Sequence, residues 1–224
     1  MDNCKKNKNI EKVRIDTIEQ LFTFFDDVGI PNPFSDQHAN MKQKALESLR
    51  ESENPEDCLI FLGSEDRMEF FLEFIDDFKK RGVYEIGLFM VINGMNMNFI
   101  SCVYPAKVLL DLLKDADQEK LQRCGDRLPF ADSIEVYRGV INDNDKSSIN
   151  RCSWTLNKNV AAWFAVESSR NDRGKNDKPA VYKRIASPEA IFYYNNERKE
   201  QEVVLDPNKC GPAIKLSNMP KPIN

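Results

Sequence analysis

Apolar residues recur at Ile18, Leu21, Phe22, Phe24 and Phe25, a spacing that predicts an amphipathic helix from Asp16 to Val28, with Asp16 as its cap and Gly29 and Pro31 as stops. A second helix is predicted from about Asn40 to Glu51. After Pro55, the run Cys58 to Gly63 reads as a short buried strand or as the first turns of a helix, and periodicity does not separate the two. Met68, Phe70, Phe71, Phe74, Ile75 and Phe78 then form one apolar stripe, so a single helix is expected from Ser64 to Lys79-Lys80-Arg81-Gly82, its cations where the helix dipole favours them. Tyr84 to Ile100 is apolar and reads as strand or buried helix. Pro105 opens a helix through Leu109, Leu110, Leu112 and Leu113, which Gln118 to Arg123 extends or follows.

The pattern changes at Leu128-Pro129. Short strand-like runs alternate with polar turns over Ile134 to Gly139, Arg151 to Leu156, Ala180 to Ile185, Ala190 to Tyr194, Gln201 to Leu205 and Ala213 to Leu216. One helix, from about Asn157 to Ser168, interrupts them, and Ser168 to Lys178 is a polar loop with almost no apolar anchor. The expectation is an α+β fold, with a mainly helical region over 1–104 that serves target recognition or packing, and a β-rich core over 105–224.

Composition narrows the chemistry. The chain's 224 residues hold no apolar stretch near the roughly twenty needed to span a bilayer, so no membrane partner is expected. The basic start at Lys5 and Lys6 leads into no apolar signal segment, and a cytoplasmic protein is expected, or one delivered from there into a host cell. Six cysteines lie far apart with no Cys-x-x-Cys pair, and the one histidine, His38, has no ligand-like partner at helical spacing, so neither a metal nor a histidine-based nucleophile is expected. From Ala131 onward there are 15 Lys+Arg against 12 Asp+Glu, net +3, while the preceding residues hold 17 against 24, net −7. The mildly basic half suits an anionic dinucleotide, and its charge is too small to argue nucleic-acid binding by itself.

Three segments of that half belong together: Val136-Tyr137-Arg138-Gly139, Ser153-Trp154-Thr155, and Glu200-Gln201-Glu202-Val203-Val204. Each is commonplace by itself, but their order on strand, strand end and strand resembles the Arg-Ser-Glu class of mono-ADP-ribosyltransferases. Asn195 to Val204, and the helix-forming Leu156 to Ala165 after Ser-Trp-Thr, are similar to poorly characterised bacterial and phage members. The resemblance covers about residues 105 to 216. It departs from the common Ser-Thr-Ser form in having Trp154 at the centre and Thr155 last, with both hydroxyls kept.

That resemblance implies a split β-sheet core, NAD as the substrate, no metal, and a macromolecular acceptor, protein or nucleic acid. Cleaving the nicotinamide-ribose bond develops positive charge on the ribose, and the family role of meeting it with a carboxylate falls on Glu202. Glu200 is implied to orient or activate the acceptor, in the form that resembles arginine-modifying relatives; strand alternation would point both carboxylates to one face. Arg138 supplies a planar donor fork for pyrophosphate or ribose hydroxyls, and Gly139 a bare backbone for the nicotinamide amide, with Tyr137 beside them. Ser153 is implied to fix the Glu202 rotamer, with Thr155 supporting the strand end. Phe164, Tyr193 and Tyr194 are the aromatic candidates beneath the nicotinamide ring, and Arg170 or Arg173 would close over the phosphates. An NAD glycohydrolase, with water as acceptor, uses the same residues; a non-catalytic binding module of the same fold is the remaining alternative.

Overall fold

A computed structural model describes residues 35–64, 66–94, 106–143, 146–166 and 178–223. The helix expected from Asp16 to Val28 and the polar loop's Arg170 and Arg173 lie outside the described residues.

The described helices are α1 (Ser35–Glu51), α2 (Asp66–Glu73), α3 (Ile75–Lys80), α4 (Tyr84–Gly94), α5 (Ala106–Asp115), α6 (Gln118–Cys124), the short α7 (Lys146–Ile149) and α8 (Lys158–Val166). The apolar run after Pro55 is a 3-10 helix, Pro55–Phe61, which buries Cys58 and Leu59. The stripe expected as one helix is two, because Phe74 leaves helical geometry at φ −111 and ψ 26. The break swings α3 so that Phe78 packs on Phe71, ring centroids 4.8 Å apart, while Phe74 stays on Phe70 at 4.8 Å. Gly82, at φ 71, ends α3 in the left-handed conformation, and Val83 N–H returns to Phe78 O while Gly82 N–H returns to Lys79 O. Tyr84 to Gly94 resolves as helix, and Gly87 lets it lie on the Phe71 and Phe78 rings, since a Cβ there would meet Phe78 at 2.8 Å. Asp117 separates α6 from α5 by accepting from Glu119 and Lys120 N–H, an N-cap.

The strands are β1 (Ile134–Val140), β2 (Ser153–Thr155), β3 (Ala180–Ala186), β4 (Ile191–Asn195), β5 (Glu202–Leu205) and β6 (Ile214–Lys215). They form one open sheet in the order β4-β5-β2-β1-β3-β6, and every neighbouring pair is antiparallel. β5 is buried along its whole length because both of its faces are covered, which is why Val203, Val204 and Leu205 run without polar alternation. Val204 and Tyr193 join the core of the helical region, which runs from Ala45 through Leu88 and Leu113 to Leu121. Val203, Leu205, Trp154, Val136 and Tyr194 form a second core on the opposite face. A third cluster, Ala161, Ala162, Ala165 and Val181, seats α8 on the sheet beside β1 and β3. Because Leu113, Leu121, Tyr193 and Val204 share one core with Leu49 and Phe70, the helices before and after residue 104 pack as one body with the sheet.

No described helix is long and apolar enough to cross a membrane. Among the described residues, Cys58, Cys124, Cys152 and Cys210 are free thiols, and no group of three or more His, Cys, Asp or Glu is arranged to hold a metal ion. His38 lies on α1 with its Nε2 2.9 Å from Asp66 Oδ2.

Candidate functional site

The sheet order sets β5 beside β2 and β2 beside β1, so residues separated by up to 64 positions in sequence meet across three adjacent strands. Thr155 pairs laterally with Glu202 on one side and with Tyr137 on the other. Ser153 joins the two charged groups: its Oγ donates to Glu202 Oε1 at 2.5 Å, and its carbonyl accepts from Arg138 Nη1. Arg138 Nε donates to Ser148 O at 2.6 Å, so the guanidinium is anchored on the segment that leads into β2.

Glu202 is only 7% exposed. Burial raises its pKa above the ordinary carboxylate value, and neighbouring Glu200 pushes the same way, while the Ser153 hydroxyl, Arg198 and Arg138 oppose the shift. Burial lowers the Arg138 pKa to about 10, and Arg151 and Arg184 add to that, against the pull of Glu202. At that value Arg138 still carries its charge at neutral pH. The arrangement is a desolvated carboxylate held in one rotamer by a hydroxyl, with a cation's field across the same serine.

Glu200 differs from its expected placement. Gln201 adopts φ 50, so β5 starts at Glu202 and strand alternation does not extend back to Glu200. The turn before it is held by side-chain and backbone acceptors: Asn196 Oδ1 accepts Gln201 N–H at 3.2 Å, the Asn196 backbone O accepts Lys199 N–H at 2.9 Å, and Asp126 Oδ2 accepts Asn196 N–H at 2.7 Å. Thr155 Oγ1 donates to Glu200 O at 2.6 Å and accepts Asn157 N–H at 3.0 Å, so Thr155 ties the turn to the start of α8. The Glu200 carboxylate, half-buried, lies 3.7 Å from Arg198 Nε.

Other expected residues are used differently. A Cβ on Gly139 would fall 1.9 Å from Ala161 O and 2.7 Å from Ala165 N, so its missing side chain is what lets the α8 backbone approach β1. Tyr137 donates to Glu135 Oε2 at 2.8 Å and packs against the α8 cluster. Tyr193 is a core residue, 1% exposed and edge-on to Phe89 at 5.1 Å; Tyr194 is 7% exposed in the core on the opposite face. Of the three aromatic candidates, Phe164 alone keeps an exposed surface, edge-on to Trp163 at 5.2 Å.

Two residues to which the sequence assigns no role bear on the site. Arg184, buried and stacked 4.5 Å over Trp154, donates to Pro207 O at 2.9 Å and to Asn150 Oδ1 at 3.2 Å. Asn195 faces Glu202 across β4 and β5; Asn-Asn ahead of a charged run is a turn signal that could have singled it out. A groove of about 1040 Å³ is lined by α6, the 125–131 segment and the two tyrosines, and its lining includes none of Arg138, Ser153 and Glu202. The buried carboxylate and its partners therefore mark the site better than volume does.

No known family matches the chain, and no curated protein or solved structure matches it.

Proposed function

We propose that the chain is an NAD-dependent mono-ADP-ribosyltransferase with an ADP-ribosyltransferase-like split-sheet core. The observation that carries this reading is the joining of Arg138, Ser153 and Glu202, from three separate strands, through one serine whose hydroxyl holds Glu202 and whose carbonyl holds Arg138. The donor set suits NAD: a fixed carboxylate for a ribose hydroxyl and its developing charge, and a guanidinium for the pyrophosphate or ribose.

In the proposed reaction the C–N bond between ribose and nicotinamide breaks, and its electron pair leaves with nicotinamide. Ionised Glu202 stabilises the oxocarbenium-like ribose, a contact stronger in the transition state than in the ground state. The acceptor nucleophile closes on the anomeric carbon and gives up its proton, for which Glu200 is the nearby base. Arginine is the favoured acceptor, because a Glu at position 200 resembles the form of the motif in arginine-modifying relatives.

The test is incubation of the purified protein with labelled NAD and a cell lysate, wild type beside Glu202→Gln, reading both macromolecular label and released nicotinamide. The expected result is label that depends on Glu202, is removed by protease and resists nuclease. Nuclease-sensitive label would move the acceptor to nucleic acid, nicotinamide without label would make the protein a glycohydrolase, and full activity in Glu202→Gln would overturn the mechanism.

A further inference from the structure

The turn that delivers Glu202 is built on an irregular backbone. Lys199 and Gln201 both take positive φ, 58 and 50, on either side of Glu200, a conformation that non-glycine residues keep only where surrounding contacts over-determine it. The start of the same turn is tied to the helical region. Asn195, 6% exposed, is the cross-strand partner of Glu202; its Oδ1 accepts Glu197 N–H at 2.9 Å, and its Nδ2 donates to Asn93 Oδ1 on α4 at 2.8 Å. Asn93 Nδ2 in turn donates to Phe89 O at 2.8 Å, with the Tyr193 hydroxyl at 3.4 Å.

The direction of every link is fixed. Glu197 N–H can only donate, so Asn195 must present its oxygen there and its amide nitrogen to Asn93. Phe89 O can only accept, so Asn93 must present its nitrogen to the helix and its oxygen to Asn195. Neither amide can flip without setting two like groups against each other, so the relay from the α4 backbone to the Glu197 amide has one arrangement.

We propose that Asn93 is a positioning residue for the Glu200–Glu202 turn, acting through Asn195, so that the helical region completes the candidate site. The catalytic part of this inference rests on the NAD reading above; the structural part does not. Asn93 touches neither the acidic pair nor Ser153 in the relay, and its effect passes through the backbone that starts the turn.

The test compares Asn93→Leu, which removes both links, with Asn93→Asp, which keeps the acceptor for Asn195. In full-length protein, Asn93→Leu is expected to lose at least tenfold in the kcat of nicotinamide release while NAD affinity stays within about threefold, and Asn93→Asp is expected to recover most of that loss. Amide hydrogen exchange over residues 195–202 is expected to rise in Asn93→Leu and to stay near wild type in Asn93→Asp. Where Asn93→Leu fails to fold, Asn195→Asp, which still accepts from Glu197 but cannot donate to Asn93, is expected to show the same kcat loss and the same faster exchange. Unchanged exchange across the turn, or a kcat within twofold of wild type, overturns the proposal. Wild-type protein that releases no nicotinamide overturns the NAD reading instead, and the exchange measurement then decides the positioning role alone.

Discussion

Replacing Ser153 with Ala should cost more stability at alkaline than at acid pH. The Ser153 Oγ donates to a nearly buried carboxylate at 2.5 Å. A hydrogen bond to an ionised group contributes about 1.5–3 kcal/mol, and one between neutral groups about 0.5–1.5 kcal/mol. At pH 8 Glu202 is ionised and the substitution forfeits the stronger bond; at pH 4, below its raised pKa, the carboxyl is protonated and the loss shrinks by about 1 kcal/mol. Urea unfolding followed by tryptophan fluorescence reads this directly, because Trp154, buried next to Ser153, is one of two tryptophans in the chain. With a slope of about 3 kcal/mol per molar, the midpoint at pH 8 should fall by roughly 0.5–1 M with the slope unchanged. The same loss, carried into the transition state, would slow nicotinamide release by roughly 10- to 150-fold. Equal costs at the two pH values, or less than about 0.5 kcal/mol at pH 8, would show that the hydroxyl is not holding the charged form, and the account of Glu202 would fail.

Glu202→Gln should be more stable than wild type near neutral pH: a carboxyl whose folded pKa is raised contributes stability below its unfolded pKa and loses it as pH rises through the folded one, so the gain should vanish in acid, as thermal melts at several pH values would reveal. For the same reason the acid limb of any NAD-cleaving activity should lie above the pH at which an ordinary glutamate titrates, and a limb at or below it would count against Glu202 as the essential base form. Asp206 behaves in the opposite sense: burial pushes it up, but the Asn208 N–H and Lys114 hold it below the usual range, so its contribution should persist down to about pH 4 and fade below, and Asp206→Asn should flatten that acid loss in urea titrations. Gly139→Ala should destabilise by about 3 kcal/mol or more, since its methyl group meets the α8 backbone rather than a side chain that can swing away; a midpoint within 1 kcal/mol of wild type would contradict the packing described.

The strands around the acidic motif were legible because β-branched and aromatic residues cluster where both sheet faces are covered, and the hydrogen-bonding residues of the site sat in recognisable order along them. What the pattern could not carry was geometry set by distant partners. Strand alternation placed Glu200 beside Glu202, but Gln201 is turned out of the strand by Asn196, and period-two reasoning ends wherever one residue takes a positive φ. Gly139 read as a ligand contact because nothing in its neighbourhood announces that α8, some twenty residues later, will lie against it. Tyr193 and Tyr194 read as a stacking platform, whereas adjacent strand residues face opposite cores. Asn93, within the apolar stretch 84–100, had no local signal at all, since its partner Asn195 lies 102 residues away.

The order of strands also sets when the site comes into being. β4 and β5 are joined by a short turn, but β5 meets β2 across 49 residues of chain and β1 meets β3 across some forty. Short-range turns close in microseconds, whereas pairings this distant must first overcome loop entropy, which makes them late events in folding. A polypeptide still leaving the ribosome, with its helices and β1 already outside, has no Glu202 to set against Ser153. The protein is therefore born without its acid and acquires it only as the last strands join, so a chain halted or trimmed before Glu202 keeps most of its fold-forming segments and lacks the carboxylate on which the proposed chemistry depends.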